Sequence, residues 1–498
     1  MDSKDFSDFH GVYNDLISTA GREQIDNFAC LASPTLSKQE TITFLYEDIL
    51  TYLDSAKILN RDKKVVTSGN RFIFFIRIIY YLFNLLFFSR LFRVNSVPDN
   101  CYYIRSWLVP RSIKQGAVYD DYFCGLIDDL QTNYPVIVGL QPLNFGRLLW
   151  DFRRVNKSNN FIVPIGLLSS KDIFKLMLDY LRSAKVILKE KYYFKGRDIT
   201  SLINRSLTHD YLKFRSFQAY LDLYIARKLI KYRPKKFLYV FENQAWEKAY
   251  LYAFKNTDIE TIGYQSSGFS YRFLNFFSNK IDAEYSMFPN RILTVGELYT
   301  DVLNNMTFIP SRIETFAALR FNYLNVDGRY SIETFVTDIH QRLLYAFPVH
   351  KYQYLVILKD LIDVFENSCI EVHLKFHPLH NMSAGCLKLP ENFKIYSSHE
   401  GRDFNSLYDV VLFNDNSFGI ESLILGVKSY EYNFGELYPE NRLIDFQCYN
   451  PSLDKDSLQI LKMQLTTGVY DKAFDKEYVD RYINRCYKPY KDKMMNLI

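Results

Sequence analysis

From Tyr102 to about Gly435 the chain repeats one pattern: a short apolar run, a turn-forming break, then a longer amphipathic stretch. This is how strands alternating with helices around a parallel sheet read, because a strand covered on both faces has no polar side and its crossover helix has one. Strands are predicted at 136–140, 161–165, 237–241 and 260–264, and in a second series at 291–295, 343–347, 371–376, 394–396, 410–413 and 428–430. A Pro-Asn turn at Pro289 and Asn290 separates the two series. At 498 residues the chain exceeds what one ordinary core organises. The expected fold is α/β, with one domain at 102–288, a second at 289–436 and a cleft between them. A helical region, 1–101, precedes them, and a polar helical tail, 437–498, follows.

The helical region ends in RFIFFIRIIYYLFNLLFFSRLFR at 71–93. A spanning helix needs about 20 apolar residues, and an arginine at its centre, here Arg77, costs at least roughly 2.5 kcal/mol. Two other readings stand side by side: a basic, aromatic element docked on an anionic membrane surface, and a buried helix of the first domain.

Composition excludes several classes. Hydrophobic residues make up 48% and charged residues 23%, which suits packed cores and not extended disorder. The net charge of +5 arises from 61 basic and 56 acidic residues with no long block of one sign, so no nucleic-acid partner is expected. Seven cysteines stand singly, without a C-x-x-C pair, which argues against a zinc site or a disulfide framework and fits a reducing cytoplasm. The polar, acidic start at Met1 and Asp2 is unlike a signal peptide.

Ligands of open α/β sheets gather at the carboxyl ends of the strands. Three such ends carry reactive groups. In EVHLKFHP, 371–378, the strand stops at Pro378 and leaves His377 at its edge, able to donate to a phosphate oxygen, with Lys375 adding positive potential. A shared metal is disfavoured, since residues 373 and 377 of an extended strand lie about 13 Å apart at roughly 3.3 Å per residue. The second end is NDNSFGIESLILG, 414–426, a polar turn into a helix. There Ser417 would cap the helix, whose backbone N–H groups would hold a phosphate with Asn416 among the nucleotide-binding residues, Gly419 would permit close approach, and Glu421 could accept ribose hydroxyls. The third is KFLYVFENQAWEKA, 236–249, where Glu242 stands as a general base for an acceptor hydroxyl and Glu247 one helical turn further on. Gln265 and Ser266, in GYQSSG at 263–268, would line the same cleft. Each site has a structural alternative: His377 as a packed histidine, Ser417 as a plain cap, Glu421 as a first-turn acid and either glutamate as a helix cap.

The order of YIRSWL (103–108), FENQAWEKA (241–249), TIGYQ (261–265), PNRILTVG (289–296), KFHP (375–378) and SFGIE (417–421) resembles bacterial surface-carbohydrate biosynthesis proteins related to the capsule Kdo transferases and, more distantly, to bacterial sialyltransferases. The likeness runs from about Tyr102 to Glu436. It implies a GT-B fold of two Rossmann-like domains, no metal requirement and no cofactor beyond a nucleotide-sugar co-substrate, often CMP-linked. It also implies a donor held mainly by the second domain, with His377 and Ser417 on its phosphate and Glu421 on its nucleoside, and a glycan or lipid-linked glycan as acceptor. Phe376 stands where the family often has Pro, and Ser266 where it often has His. The competing readings are a UDP-sugar or other diphosphate-donor transferase, a polyol-phosphate transferase, and a non-catalytic scaffold of polysaccharide assembly.

Overall fold

The computed structural model describes residues 28–37, 68–321, 341–348, 353–377, 388–396, 407–434, 452–470 and 476–490, with breaks of one to three residues at 115, 144, 157, 159, 195, 271–272, 274, 279, 281–282, 284–286 and 415. The first sheet is built on a strand that the apolar pattern does not mark, β1 (Tyr102–Leu108), whose run is interrupted by Arg105 and Ser106. Around it lie β2 (Val136–Pro142), β3 (Phe161–Ile162), β4 (Lys236–Val240), β5 (Glu260–Tyr264), β6 (Arg291–Thr294) and β7 (Arg312–Thr315), all parallel, in the order β3-β2-β1-β4-β5-β6-β7. The second sheet contains β8 (Arg342–Ala346), β9 (Glu371–Lys375), β10 (Phe393–Ile395), β11 (Val410–Phe413) and β12 (Ser429–Glu431), again parallel, in the order β10-β9-β8-β11-β12. Each sheet therefore starts at its centre, grows to one side and then returns to grow on the other. This is the doubly wound arrangement, with a crevice where the winding reverses, between β1 and β4 in one sheet and between β8 and β11 in the other. The fold is α/β, two Rossmann-like units about a central cleft, as GT-B requires.

Two expectations about extent are corrected. The strand expected to open the second domain, 291–295, is β6 and belongs to the first sheet: Arg291 is level with Ile262 of β5 and with Arg312 of β7. The turn before it is tied to β5, because Asn290 Oδ1 accepts from the N–H of Thr261 at 2.8 Å and from its hydroxyl at 2.7 Å. A Pro-Asn turn ends a crossover as readily as it ends a domain. The strand expected at 161–165 stops at Ile162, since Pro164 cannot donate to a ladder and opens a short 3-10 turn instead, Pro164–Leu167.

The tail is not a separate region. Helix α9 (Lys455–Thr467) buries Leu458, Leu461 and Leu465 in the second core against α7 (Tyr354–Phe365), where Lys455 Nζ pairs with Asp360 and Asp363, each at 2.8 Å. Helix α10 (Lys476–Cys486) returns to the first unit, packing on α6 (Glu297–Met306). The segment after it exchanges backbone bonds with that unit, Lys488 N–H to Val295 O at 2.9 Å and Ala318 N–H to Lys488 O at 2.8 Å. A side chain at Gly296 would collide with the backbone of Arg485 and Cys486.

The apolar segment forms helix α1 (Ser68–Leu91). One face packs on the first unit: Tyr81 stacks on Phe214 at 4.9 Å, Phe88 stacks on Phe145 at 5.3 Å, and Arg77 Nη1 donates to Leu212 O at 3.2 Å. The other face is exposed. The buried-helix reading therefore holds for one face of α1.

Candidate functional site

The carboxyl ends of both sheets meet the cleft, and register fixes what stands there. Arg105 of β1 is level with Tyr239 of β4, and Glu242 follows the end of β4 by two residues, beside the first crevice. Ala346 of β8 is level with Lys375 of β9 on one side and Phe413 of β11 on the other, which puts Lys375 and the 414–421 turn on one edge.

In the first unit, β4 runs into helix α5 (Ala245–Phe254) through a loop held from below by Glu247. Glu247 is only 1% exposed, and its carboxylate accepts the N–H groups of Glu242 (2.9 Å), Asn243 (3.0 Å) and Gln244 (3.0 Å). Burial pushes its pKa well above the ordinary range and the neighbouring Glu242 adds to this, against the pull of those three donors. Of the two acids proposed as base, Glu247 is therefore turned inward as the loop's internal cap. Glu242 stays half-buried; its Oε2 accepts from Gln244 Nε2 at 2.6 Å and its backbone oxygen from Asn275 Nδ2 at 2.5 Å.

Beneath this loop lies a charge that the sequence shows only as part of YIRSWL. Arg105 is fully buried, its guanidinium in the corner of two edge-to-face rings, 3.8 Å from Trp107 and 3.7 Å from Trp246, with Asp222 of α4 (Phe217–Leu229) at 3.9 Å. Trp246 Nε1 donates to Gln244 Oε1 at 3.0 Å, and Gln244 holds Glu242. A chain of contacts thus runs from the centre of the sheet to Glu242.

Three cleft residues escaped sequence reasoning because they lie in loops without a motif. Arg111 pairs with Asp121 at 2.9 Å, and Arg320 lies over the Tyr122 ring at 5.9 Å. Burial pushes the Tyr122 hydroxyl up to about 12; Arg320 works against this, and Glu242 adds to it, so these groups share one electrostatic neighbourhood. The loop is ordered by Asp120, whose Oδ1 accepts from the N–H groups of Tyr122 at 2.9 Å and Phe123 at 2.6 Å. Burial pushes the Asp120 carboxyl up to about 6. A carboxyl raised on folding binds its proton more tightly in the folded chain, so its contribution is present at low pH and is lost as pH rises through about 6. Asp120→Asn keeps the accepting oxygen and removes the charge. It should therefore raise stability by roughly 2 to 3 kcal/mol near pH 8 and by little near pH 4, read by urea unfolding at the two pH values.

In the second unit the Lys375 ammonium lies 4.8 Å from the Phe418 ring and 5.2 Å from the Tyr396 ring. Burial holds it below the usual lysine range; the Glu421 carboxylate opposes this, and Arg111, from the first unit, reinforces it. His377 follows β9 by two residues and is half-buried, its backbone bonded to the Tyr354 hydroxyl. His373, by contrast, belongs to a cluster on the same strand, joined to Glu371 at 2.5 Å and to the Tyr408 hydroxyl at 2.7 Å. His380 lies outside the described residues. Among the described residues no group of three His, Cys, Asp or Glu could hold a metal.

The turn after β11 differs in detail from expectation. Asn416, not Ser417, caps α8 (Phe418–Ile424): its Oδ1 accepts from Phe418 N–H at 2.9 Å, while its Nδ2 donates to Asn414 O at 2.6 Å and across the crevice to Ala346 O at 3.0 Å. Its role is to stitch the turn to β8. The hydroxyl of Ser417 is left to Glu421 Oε1, 3.2 Å away. A Cβ on Gly419 would lie 2.4 Å from the Phe413 ring, so packing of α8 on β11 is what demands glycine there. Gln265 and Ser266 do not line the cleft. Both are buried, Gln265 Oε1 accepting from Val295 N–H at 3.2 Å and its Nε2 donating to Ser267 O, which locks β5 to β6.

Among solved structures the chain is similar to the UDP-GlcNAc 2-epimerase of Neisseria meningitidis bound to UDP-GlcNAc, at 10% identity and a TM-score of 0.41, covering 80% of this chain and 97% of that one. It is similar also to the wall teichoic acid polymerase TagF, at 12% identity and a TM-score of 0.39, covering 87% of this chain and 96% of that one. A third is the glycotransferase of kitacinnamycin, at 10% identity and a TM-score of 0.41, covering 80% and 98%. No family model and no curated protein matches the chain.

Proposed function

We propose that the chain is a glycosyltransferase that moves a sugar from a nucleotide donor to a glycan or lipid-linked glycan of the bacterial surface, in the cytoplasm and without a metal. The observation that carries this reading is the division of labour between the two crevices. One presents an anchored acid, Glu242, and the other presents cationic Lys375 beside Glu421, with Arg111 reaching toward it from the opposite unit. The second unit binds the donor, with Lys375 and His377 at the phosphate, Ser417 and Asn416 ordering the turn, and Glu421 at the nucleoside. Glu242 takes the proton of the acceptor hydroxyl as its oxygen attacks the anomeric carbon, and the bond to the donor phosphate oxygen breaks. Lys375 and His377 stabilise the charge left on that phosphate. The donor is a CMP-linked acidic sugar of the Kdo or nonulosonic-acid type, on the motif resemblance; a UDP-linked or polyol-phosphate donor is the second reading.

Thermal-shift titration with CMP, CDP, UMP, UDP and GDP separates these, since bound nucleotide raises stability by RT ln(1 + [L]/Kd). CMP should give the largest shift. Loss of a charge-assisted phosphate contact costs about 1.5 to 3 kcal/mol, so Lys375→Ala and His377→Ala should each weaken nucleotide affinity roughly tenfold or more in a protein that still folds. Unchanged affinity would remove that residue from the site, and no binding of any nucleotide would favour a non-catalytic scaffold.

A further inference from the structure

Helix α1 is apolar all round, a pattern proper to a helix surrounded by apolar material. The described residues supply that material on one side only. Leu85, Phe88 and Ser89 are buried and Tyr81 stacks on Phe214, whereas Phe72 (67%), Phe75 (58%) and Phe83 (68%) are exposed, together with Ile76, Ile79 and Tyr80. The exposed face does not stop at α1. Phe87 meets Trp150 of α2 (Arg147–Val155) at 5.9 Å, and Trp150 is itself 44% exposed. Helix α3 (Ser170–Ser183), packed beside α1, shows Lys171, Phe174, Lys175, Leu178 and Arg182 on one side.

The exposed charges of α1 and α3 have one sign. Helix α1 carries no acid, and its Arg90 is exposed, whereas Arg77 is turned to the packed face. The two acids of α3 are engaged with the protein: Asp172 pairs with Lys228 at 2.7 Å and Asp179 accepts from the Tyr224 hydroxyl. Aromatic and aliphatic side chains interleaved with lysine and arginine fit a surface with an apolar interior and an anionic rim. The packed face of α1 excludes a spanning helix, since crossing a bilayer would strip Tyr81 and Phe88 from their stacked partners. Phe145, which follows β2 at the carboxyl edge of the first sheet, stacks on Phe88, so the face adjoins the rim of the cleft.

We propose that α1 and α3 form a docking surface that lies flat on an anionic lipid bilayer, holding the cleft rim of the first unit at the membrane. This stands independently of the donor assignment.

The test uses the full chain and vesicles of phosphatidylcholine with and without phosphatidylglycerol. At low salt the protein should co-sediment with the anionic vesicles at least about tenfold more than with neutral ones, and high salt should reduce this. Phe75→Ser with Phe83→Ser, and separately Lys171→Glu with Lys175→Glu, should each lower partitioning by about tenfold, with melting temperatures unchanged because all four side chains are exposed. A readout without substitutions is Trp150, whose fluorescence should be quenched by brominated lipid while the rest of the tryptophan emission is not. Absence of co-sedimentation, equal binding to neutral vesicles, or no quenching of Trp150 overturns the proposal. So does a dimer in solution that the phenylalanine variants dissociate, which would make the face a contact between two copies of this chain.

Discussion

Glu242→Gln should lower transfer by about 10² to 10⁴ fold at neutral pH while leaving nucleotide affinity and thermal stability near those of the parent. Gln keeps the size of the side chain and can still meet Gln244, but it cannot take a proton. The structure sharpens the comparison with Glu247→Gln. Glu247 offers both carboxylate oxygens to three backbone N–H groups. An amide in its place turns a donor toward a donor, costing about 1 to 3 kcal/mol of stability, and loosens the loop that aims Glu242. The two variants should therefore separate: one inactive and stable, the other destabilised with activity lost in proportion. Normal turnover in Glu242→Gln removes it as the base. A product of retained anomeric configuration does so as well, because displacement assisted by a single base inverts the centre.

The second large effect is structural. Arg105→Met should cost about 3 to 5 kcal/mol in urea unfolding, because it leaves the Asp222 carboxylate buried without its cation. Burial already pushes the Asp222 carboxyl up, and Arg105 is the group that opposes this most. Methionine can pack against Trp107 and Trp246 but cannot neutralise the acid. Adding Asp222→Asn should recover most of the loss, as expected of partners that share one interaction. If the double variant is as unstable as the single one, packing against the two tryptophans outweighs the charge pair. Activity should fall with Arg105→Met even at temperatures where the fold holds, since Trp246 anchors Gln244 and Gln244 holds Glu242.

Burial of both faces of a parallel strand made much of the architecture legible. Runs such as VVLF at 410–413 and FLYV at 237–240 have no polar side, and the structure places each inside its sheet with a strand on either side. Strand β1 is less legible because Arg105 and Ser106 break its apolar run, and burial of the arginine depends on Trp246 and Asp222, contributed from far along the chain, as well as on neighbouring Trp107. The same applies to β6, which reads identically whether it closes one sheet or opens another; only its pairing with β5 assigns it.

The sequence by itself determined that this chain forms two parallel α/β sheets, and that Glu242, Lys375, His377 and the 414–421 turn follow strand ends. Periodicity and strand polarity are local properties, readable within a few residues. Tertiary structure decided the surroundings of those residues: that Glu247 is buried and Glu242 half-buried, that Gln265 ties the end of β5 to β6, that Gly419 answers to Phe413, and that Arg111 pairs with Asp121 while Arg320 lies over Tyr122. It also decided that, among the described residues, α1 is covered on one side only. Burial, hydrogen-bond partners and the field of neighbouring charges depend on atoms brought together from distant segments, and no local pattern encodes them.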